Sequence, residues 1–326
     1  MAHLIDMSNS RANMAYVGAT PWHGLGSKLQ AGAPLETWLV EAGMQYKVLR
    51  APVQYMNGSM HTFAGKDVLY RSDTNGALGV VSDGYKIVQP VEVLEFFRDL
   101  CDTQGFALET AGVLKDGALY WALAKTGHVI DIAGTDRTEG YVLLSTSADG
   151  TRSTDARFTS IRVVCNNTMS IAMSAGNKSA TKTSHRSIFD ANATKRALGL
   201  AEFDATWNAF RENLMSLQSK PVSRSAATDF FSQLLRPTTK PVSDFQGFMA
   251  KLVTPDTRAI RGLAELEASY TNAPGAAPGS AYGLVQAVTH YIDHSRGASQ
   301  DKRLTSAWFG QGDAIKSKAF ELALAI

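Results

Sequence analysis

The hydrophobic period changes part-way along this chain, and that change restricts it to folds that combine a sheet with helices. Up to about residue 165 the apolar residues sit in short β-favouring runs cut by turn pairs. After about residue 189 they recur every three or four positions, and Phe203, Trp207, Phe210, Leu214 and Leu217 make one stripe of an amphipathic helix. The reading is α+β: an antiparallel meander sheet with packed helices, followed by a helical C-terminal half. It predicts an α+β domain over 1–200 and a helical region over 201–326 that either stands alone or packs on the first.

Turn chemistry places the elements. Pro34 opens a helix that Gly43 closes, and a second helix follows Pro90. Strands are expected over 47–55, 68–71, 79–82 and 85–88, with Asn57-Gly58 and Asp83-Gly84 as tight turns. Thr110–Leu114 and Leu119–Lys125 flank Lys115-Asp116-Gly117 as a hairpin. Gly140–Ser147 and Phe158–Cys165 flank the turn-rich 148–151, and alternation puts Ile161, Val163 and Cys165 on the core face, with Phe158 and Arg162 on the other. Further helical stripes are Phe245, Phe248, Met249 and Leu252, then Ile260, Leu263 and Leu266, then Leu284, Val288, Tyr291 and Ile292, then 314–324. The Pro/Gly/Ala segment 271–280 reads as a connector.

Composition narrows the class. The 326 residues are 44% hydrophobic and 19% charged, a folded balance, and no apolar run reaches the roughly 18 residues of a membrane span. The first residues show no continuous apolar stretch, so no secretory signal is expected and the cytoplasm is the expected location. Cys101 and Cys165 are too few for a disulfide framework or a multi-cysteine zinc site.

Charge is uneven. Residues 1–150 hold 11 Lys and Arg against 16 Asp and Glu, residues 151–200 hold 8 against 2, and residues 201–326 hold 13 against 12. A basic excess confined to fifty residues is the electrostatic footprint of a polyanion site, although such blocks also occur as plain solvated loops. Within it, Arg152, Arg157 and Arg162 lie on or before a strand. Asn166, Asn167 and Thr168 are good N-caps for a helix over MSIAM, whose unpaired N–H groups would suit a phosphate. Lys178, Lys182, His185 and Arg186 follow in a small, polar, basic run, and Lys195 and Arg196 begin the helical region. Core packing is the expected role of Phe158 and Tyr141, with stacking on bases the alternative that their place near the basic stretch leaves open.

Other chemistry is sparse. His290 and His294 stand four apart on a helix, a spacing that can hold a metal but lacks the internal Glu of a zincin motif. The helical wheel sets both opposite the apolar stripe, as exposed residues. Nucleotide-binding glycine loops and the GxSxG elbow are absent.

Several segments resemble the DUF932 family of phage- and plasmid-like proteins: Pro21-Trp22-His23-Gly24-Leu25-Gly26, the runs over 82–89 and 109–114, Ile161–Thr168, the run over 286–294, and Arg303–Gly310. The resemblance implies a mobile-element origin and supplies no catalytic residues. A looser likeness, of the meander followed by a basic helix, is to Rad52-like single-strand annealing proteins. The expectation is a non-enzymatic protein that binds single-stranded DNA through residues 152–196, needs no cofactor, and anneals strands if it assembles into a homo-oligomeric ring or filament. The alternatives are a metal-dependent enzyme on nucleotides or nucleic acid that uses the acidic N-terminal half or His290 and His294, and an anti-defence protein whose basic window meets an acidic host factor.

Overall fold

A computed structural model describes residues 5–7, 11–19, 24–132, 136–162, 167–170, 180–235, 258–297, 303, 306–308 and 310–326. The chain divides into two units. One comprises Met1–His128, Glu139–Thr159 and Met173–Asp204, the other Val129–Thr138, Ser160–Ala172 and Ala205–Ile326. The division is not a single cut near residue 200, because the long strands contribute residues to both.

The larger sheet is built from β1 (Met14–Val17), β2 (Ser27–Leu29), β6 (Ala107–Leu114), β7 (Leu119–Ile132), β8 (Asp136–Ser147), β9 (Thr154–Arg162), β10 (Asn167–Ser170) and β11 (Ala180–Thr183). Its order is β10-β9-β8-β7-β6-β1-β2, with β11 also on β9. The β6-to-β9 run is the expected meander, and β10 extends it by one strand. At the far edge β1 pairs antiparallel with β6 but parallel with β2, so the sheet as a whole is mixed. The β6–β7 turn needs left-handed backbone at three successive residues, Lys115 (φ 51°), Asp116 (φ 54°) and Gly117 (φ 100°). Gly117 has a second reason to be glycine: a Cβ there would lie 2.7 Å from Arg71 Cδ.

A separate antiparallel sheet has the order β3 (Val48–Asn57), β4 (Ser59–Arg71) and β5 (Ala77–Ser82). Its base is fastened by Arg71, which donates to Asp6 Oδ2 at 2.5 Å and to Asp73 Oδ2 at 2.7 Å while its guanidinium lies over the Tyr46 ring. Residues 85–88 form no strand. Lys86 N donates to His185 O instead, so the backbone there is satisfied by another segment and not by a ladder.

Helices α1 (Leu35–Glu41) and α2 (Pro90–Gln104) belong to the first unit. The start of α2 is over-determined, with Pro90 in its first turn and Gln89 N donating to Glu92 Oε2 at 2.6 Å. After α3 (Ala191–Leu198) come α4 (Phe203–Ser219), α5 (Arg224–Leu235), α6 (Arg258–Asn272), α7 (Ala281–His290) and α8 (Gln311–Leu324). The expected stripe on α4 is buried at all five positions, and Trp207, Phe210 and Phe320 pack against one another within the second unit. The stripe Phe245–Leu252 lies outside the described residues. Among the described residues no helix is long and apolar enough to cross a membrane.

Candidate nucleic-acid interface

The basic window occupies β9, β11 and α3, beside the β8–β9 turn. Asp149 shapes that turn by accepting from Thr151 N at 2.9 Å, and Gly150 takes the left-handed φ of 74°. Strand β11 folds back on β9 and brings Lys182 opposite Asp155 and Ala180 opposite Arg157.

Strand β9 is far less available to a ligand than its sequence suggests. Phe158, expected on the open face, is fully buried (0% exposed) and stacks on Phe203 at 3.8 Å. Thr154 to Ser160 are buried at every position, because β9 is an interior strand with both faces covered. Tyr141 is likewise buried, its hydroxyl donating to Glu109 and Glu139. For both aromatics core packing is what the structure shows.

Arg157 is buried and committed, its Nε donating to Asp155 Oδ1 at 2.9 Å and its Nη2 to Asp155 Oδ2. The pair sits two residues apart on one strand, so the period of two carries both side chains to the same face. That i, i+2 spacing of opposite charges was the available sequence signal for the pairing. Arg152 is half-buried, and desolvation lowers its pKa against the pull of Asp149 and Asp155.

His185 is a fastening point. Its Nδ1 donates to Lys86 O at 2.8 Å, its ring stacks on Tyr85 at 4.4 Å, and its Nε2 faces Thr146 Oγ1 at 3.4 Å. With the proton on Nδ1, Nε2 accepts from Thr146, which in turn takes a hydrogen bond from Thr154 at 2.8 Å. Burial pushes the His185 pKa down, so the ring is held neutral and presents no charge. Tyr85 and Thr146, absent from the sequence expectation, are the residues that set this arrangement.

Lys195 is also occupied, donating to Asp99 Oδ2 at 2.9 Å and lying over the Phe96 ring. Lys182, Arg186 and Arg196, by contrast, are exposed and have no carboxylate within ion-pair distance among the described residues. The structure thus sorts the expected cations of the first unit into a buried, paired set and an open set.

The expected helix after residue 166 is corrected. Asn167 and Thr168 lie in β10, and their backbone joins a ladder with β9, so Asn167–Ser170 offers no row of unpaired helix N–H groups. Asn166 and Lys178 lie outside the described residues, and Arg162 ends β9.

In the second unit, His290 and His294 are half-buried and not exposed as the wheel implied. The chain winds more widely over Tyr291–Ser295, as a π-helix, which breaks the 3.6-residue register the wheel assumed. Their rings lie 4.8 Å apart, and His290 Nδ1 meets Ser269 Oγ at 3.1 Å. Beside them Lys316, buried, donates to Asp293 Oδ1 at 2.9 Å. Among the described residues no three His, Cys, Asp or Glu side chains gather as a metal site.

The model of one protein family, described as a domain of unknown function (DUF932), matches residues 77–308, which is more than half of the chain. The resembling segments at 82–89, 109–114, 161–168 and 286–294 fall inside that range, and the segment at 21–26 lies outside it. No curated protein and no solved structure matches the chain, so the likeness to single-strand annealing proteins gains no support.

Proposed function

The chain belongs to the DUF932 family, and since that match brings no activity with it, we propose from the charge geometry that the protein binds single-stranded DNA through the basic surface of residues 151–200. The observation that supports this most is the sorting of cations. Arg157 and Lys195 are neutralised by Asp155 and Asp99, while Lys182 on β11, Arg186 in the turn that follows and Arg196 on α3 stay open. Open Lys and Arg beside Ser and Thr hydroxyls match what a sugar-phosphate backbone requires. His185 serves this reading as a positioning residue, holding the segment between Lys182 and Arg186 against Lys86. The proposed setting is the cytoplasm of a bacterium carrying a phage or plasmid, which follows from the family resemblance and not from geometry.

The test is fluorescence anisotropy of labelled single-stranded and duplex DNA across a salt series. Single-stranded DNA should bind more tightly, with a steep salt slope. In Lys182→Ala/Arg186→Ala the slope should flatten by about 1.4, from roughly 0.7 per lost contact on single strands. Absence of binding at low salt, or an unchanged slope in the variant, overturns the reading and turns attention to an acidic protein partner for the same cations.

A further inference from the structure

His290 and His294 belong to the second unit, and the DNA reading uses none of that unit's residues. Helix α7 ends at His290 and the chain continues as a π-helix over Tyr291–Ser295, with Arg296 N donating to Tyr291 O at 2.7 Å. Such turns are rare and frequently sit at functional sites. This one sets two imidazoles side by side, with ring centroids 4.8 Å apart and planes inclined at 40°.

That separation is the one a shared metal ion requires. An imidazole nitrogen binds Zn²⁺ at about 2.0–2.1 Å, which puts the ring centre about 3.2 Å from the ion, and two rings at a tetrahedral angle then lie about 5 Å apart. The tilt takes the pair out of the stacked geometry that Tyr85 and His185 adopt, whose planes are 12° apart.

A neighbouring helix orients one of the rings. Ser269, buried on α6, places its Oγ 3.1 Å from His290 Nδ1. With the proton on Nδ1, His290 donates to Ser269 and presents the lone pair of Nε2. Metal-bound histidines are nearly always held in this way, by a hydrogen bond from the second ring nitrogen.

The local charge is compatible with a cation. Lys316 on α8 would oppose one, but Asp293 takes up its charge at 2.9 Å. Among the described residues no group of three His, Cys, Asp or Glu gathers, so two imidazoles are the protein's share and water completes the coordination. Imidazole donors select borderline first-row ions such as Zn²⁺ over Mg²⁺ and Ca²⁺, which need oxygen donors.

We infer that His290 and His294 form a two-imidazole binding site for a divalent first-row transition ion, with Ser269 as a positioning residue. The water-filled positions make it an exchangeable site, where an atom of a second ligand can join the ion. The inference is independent of DNA binding, since it uses none of Lys182, Arg186 or Arg196.

The experiment is isothermal titration calorimetry of the full chain with ZnCl₂, beside His290→Ala, His294→Ala and Ser269→Ala. The wild type should bind one Zn²⁺ at its tightest site. Ser269→Ala should weaken that site by about tenfold to a hundredfold, and each histidine variant should weaken it more. Zn²⁺ should raise the melting temperature of the wild type and not those of the histidine variants. Without metal each variant should melt as the wild type does, and where one histidine variant does not, the other and Ser269→Ala decide. Lys182→Ala/Arg186→Ala should bind Zn²⁺ undiminished, and excess MgCl₂ should not compete. A wild type that binds no Zn²⁺ overturns the inference. Equal affinity in the wild type and both histidine variants also overturns it, as adventitious surface binding. Displacement of Zn²⁺ by comparable Mg²⁺ overturns it as well and assigns the ion to carboxylates.

Discussion

The β8–β9–β11 region and the β3–β4 hairpin invert each other. In the first, polar residues are buried: Ser145, Thr146, Ser147, Thr154, Asp155, Arg157 and His185 all lie inside. In the second, Tyr55, Met56, Met60 and Phe63 lie outside. Composition alone assigns both regions the wrong side of the surface. A strand paired on both edges and covered on both faces buries whatever it carries, so its polar side chains must find partners within the protein. A ribbon reaching past its third strand exposes whatever it carries.

The largest effect should come from breaking a buried partnership. Arg157→Ala leaves Asp155 without its guanidinium and should cost about 3–5 kcal/mol of stability, read by urea denaturation. Arg157→Met/Asp155→Leu should recover most of that loss, because removing both charges removes the desolvation cost with them. If the single variant is as stable as the wild type, the pair is not buried as described. Phe158→Ala removes the side chain stacked on Phe203 and should cost about 3–5 kcal/mol by the same measurement.

Next is a pH effect. His185 is neutral in the fold, with its pKa lowered by burial, while the unfolded chain takes up its proton near 6.5. Between the two pKa values the unfolded state holds more protons, so lowering the pH favours unfolding. Stability should be level above about pH 6.5 and fall as the pH drops through 6. His185→Gln should flatten that segment of the profile in thermal melts, and an unaltered slope would assign it to other groups. Asp73 acts lower on the scale: the hydrogen bonds from Arg71 hold its pKa below the usual carboxylate value. Its contribution is therefore complete above about pH 4 and is lost as the pH falls through its lowered pKa.

The smallest effect belongs to the hairpin. Met56→Ser/Met60→Ser changes two exposed side chains and should alter the monomer's stability by no more than about 0.5 kcal/mol per site. A larger loss would mean the ribbon is packed within the monomer, and the contrast between the two regions would fail.

Much of this was legible from residue types and spacing. The α4 stripe, the start of α2 at Pro90, the Lys115-Asp116-Gly117 turn and the meander are local statements, made by neighbours in sequence. The candidate site was legible only as a concentration of charge. Which cations were free depended on partners far along the chain: Asp99 for Lys195, Lys86 for His185. Residues 167–170 suit a helix start as well as a strand, because Asn and Thr fit either structure, and pairing with β9 decides for the strand. The wheel for His290 and His294 failed for a related reason: π-helical winding over Tyr291–Ser295 changes the angle per residue.

The sequence by itself determined the change of hydrophobic period, the turn positions, the basic window and the uncharged stretch at 51–65, because each is a property of adjacent residues. Only the tertiary structure decided which polar groups were sealed in and which apolar groups were left out. Burial depends on what packs above a strand and along its edges, and those neighbours arrive from distant parts of the chain.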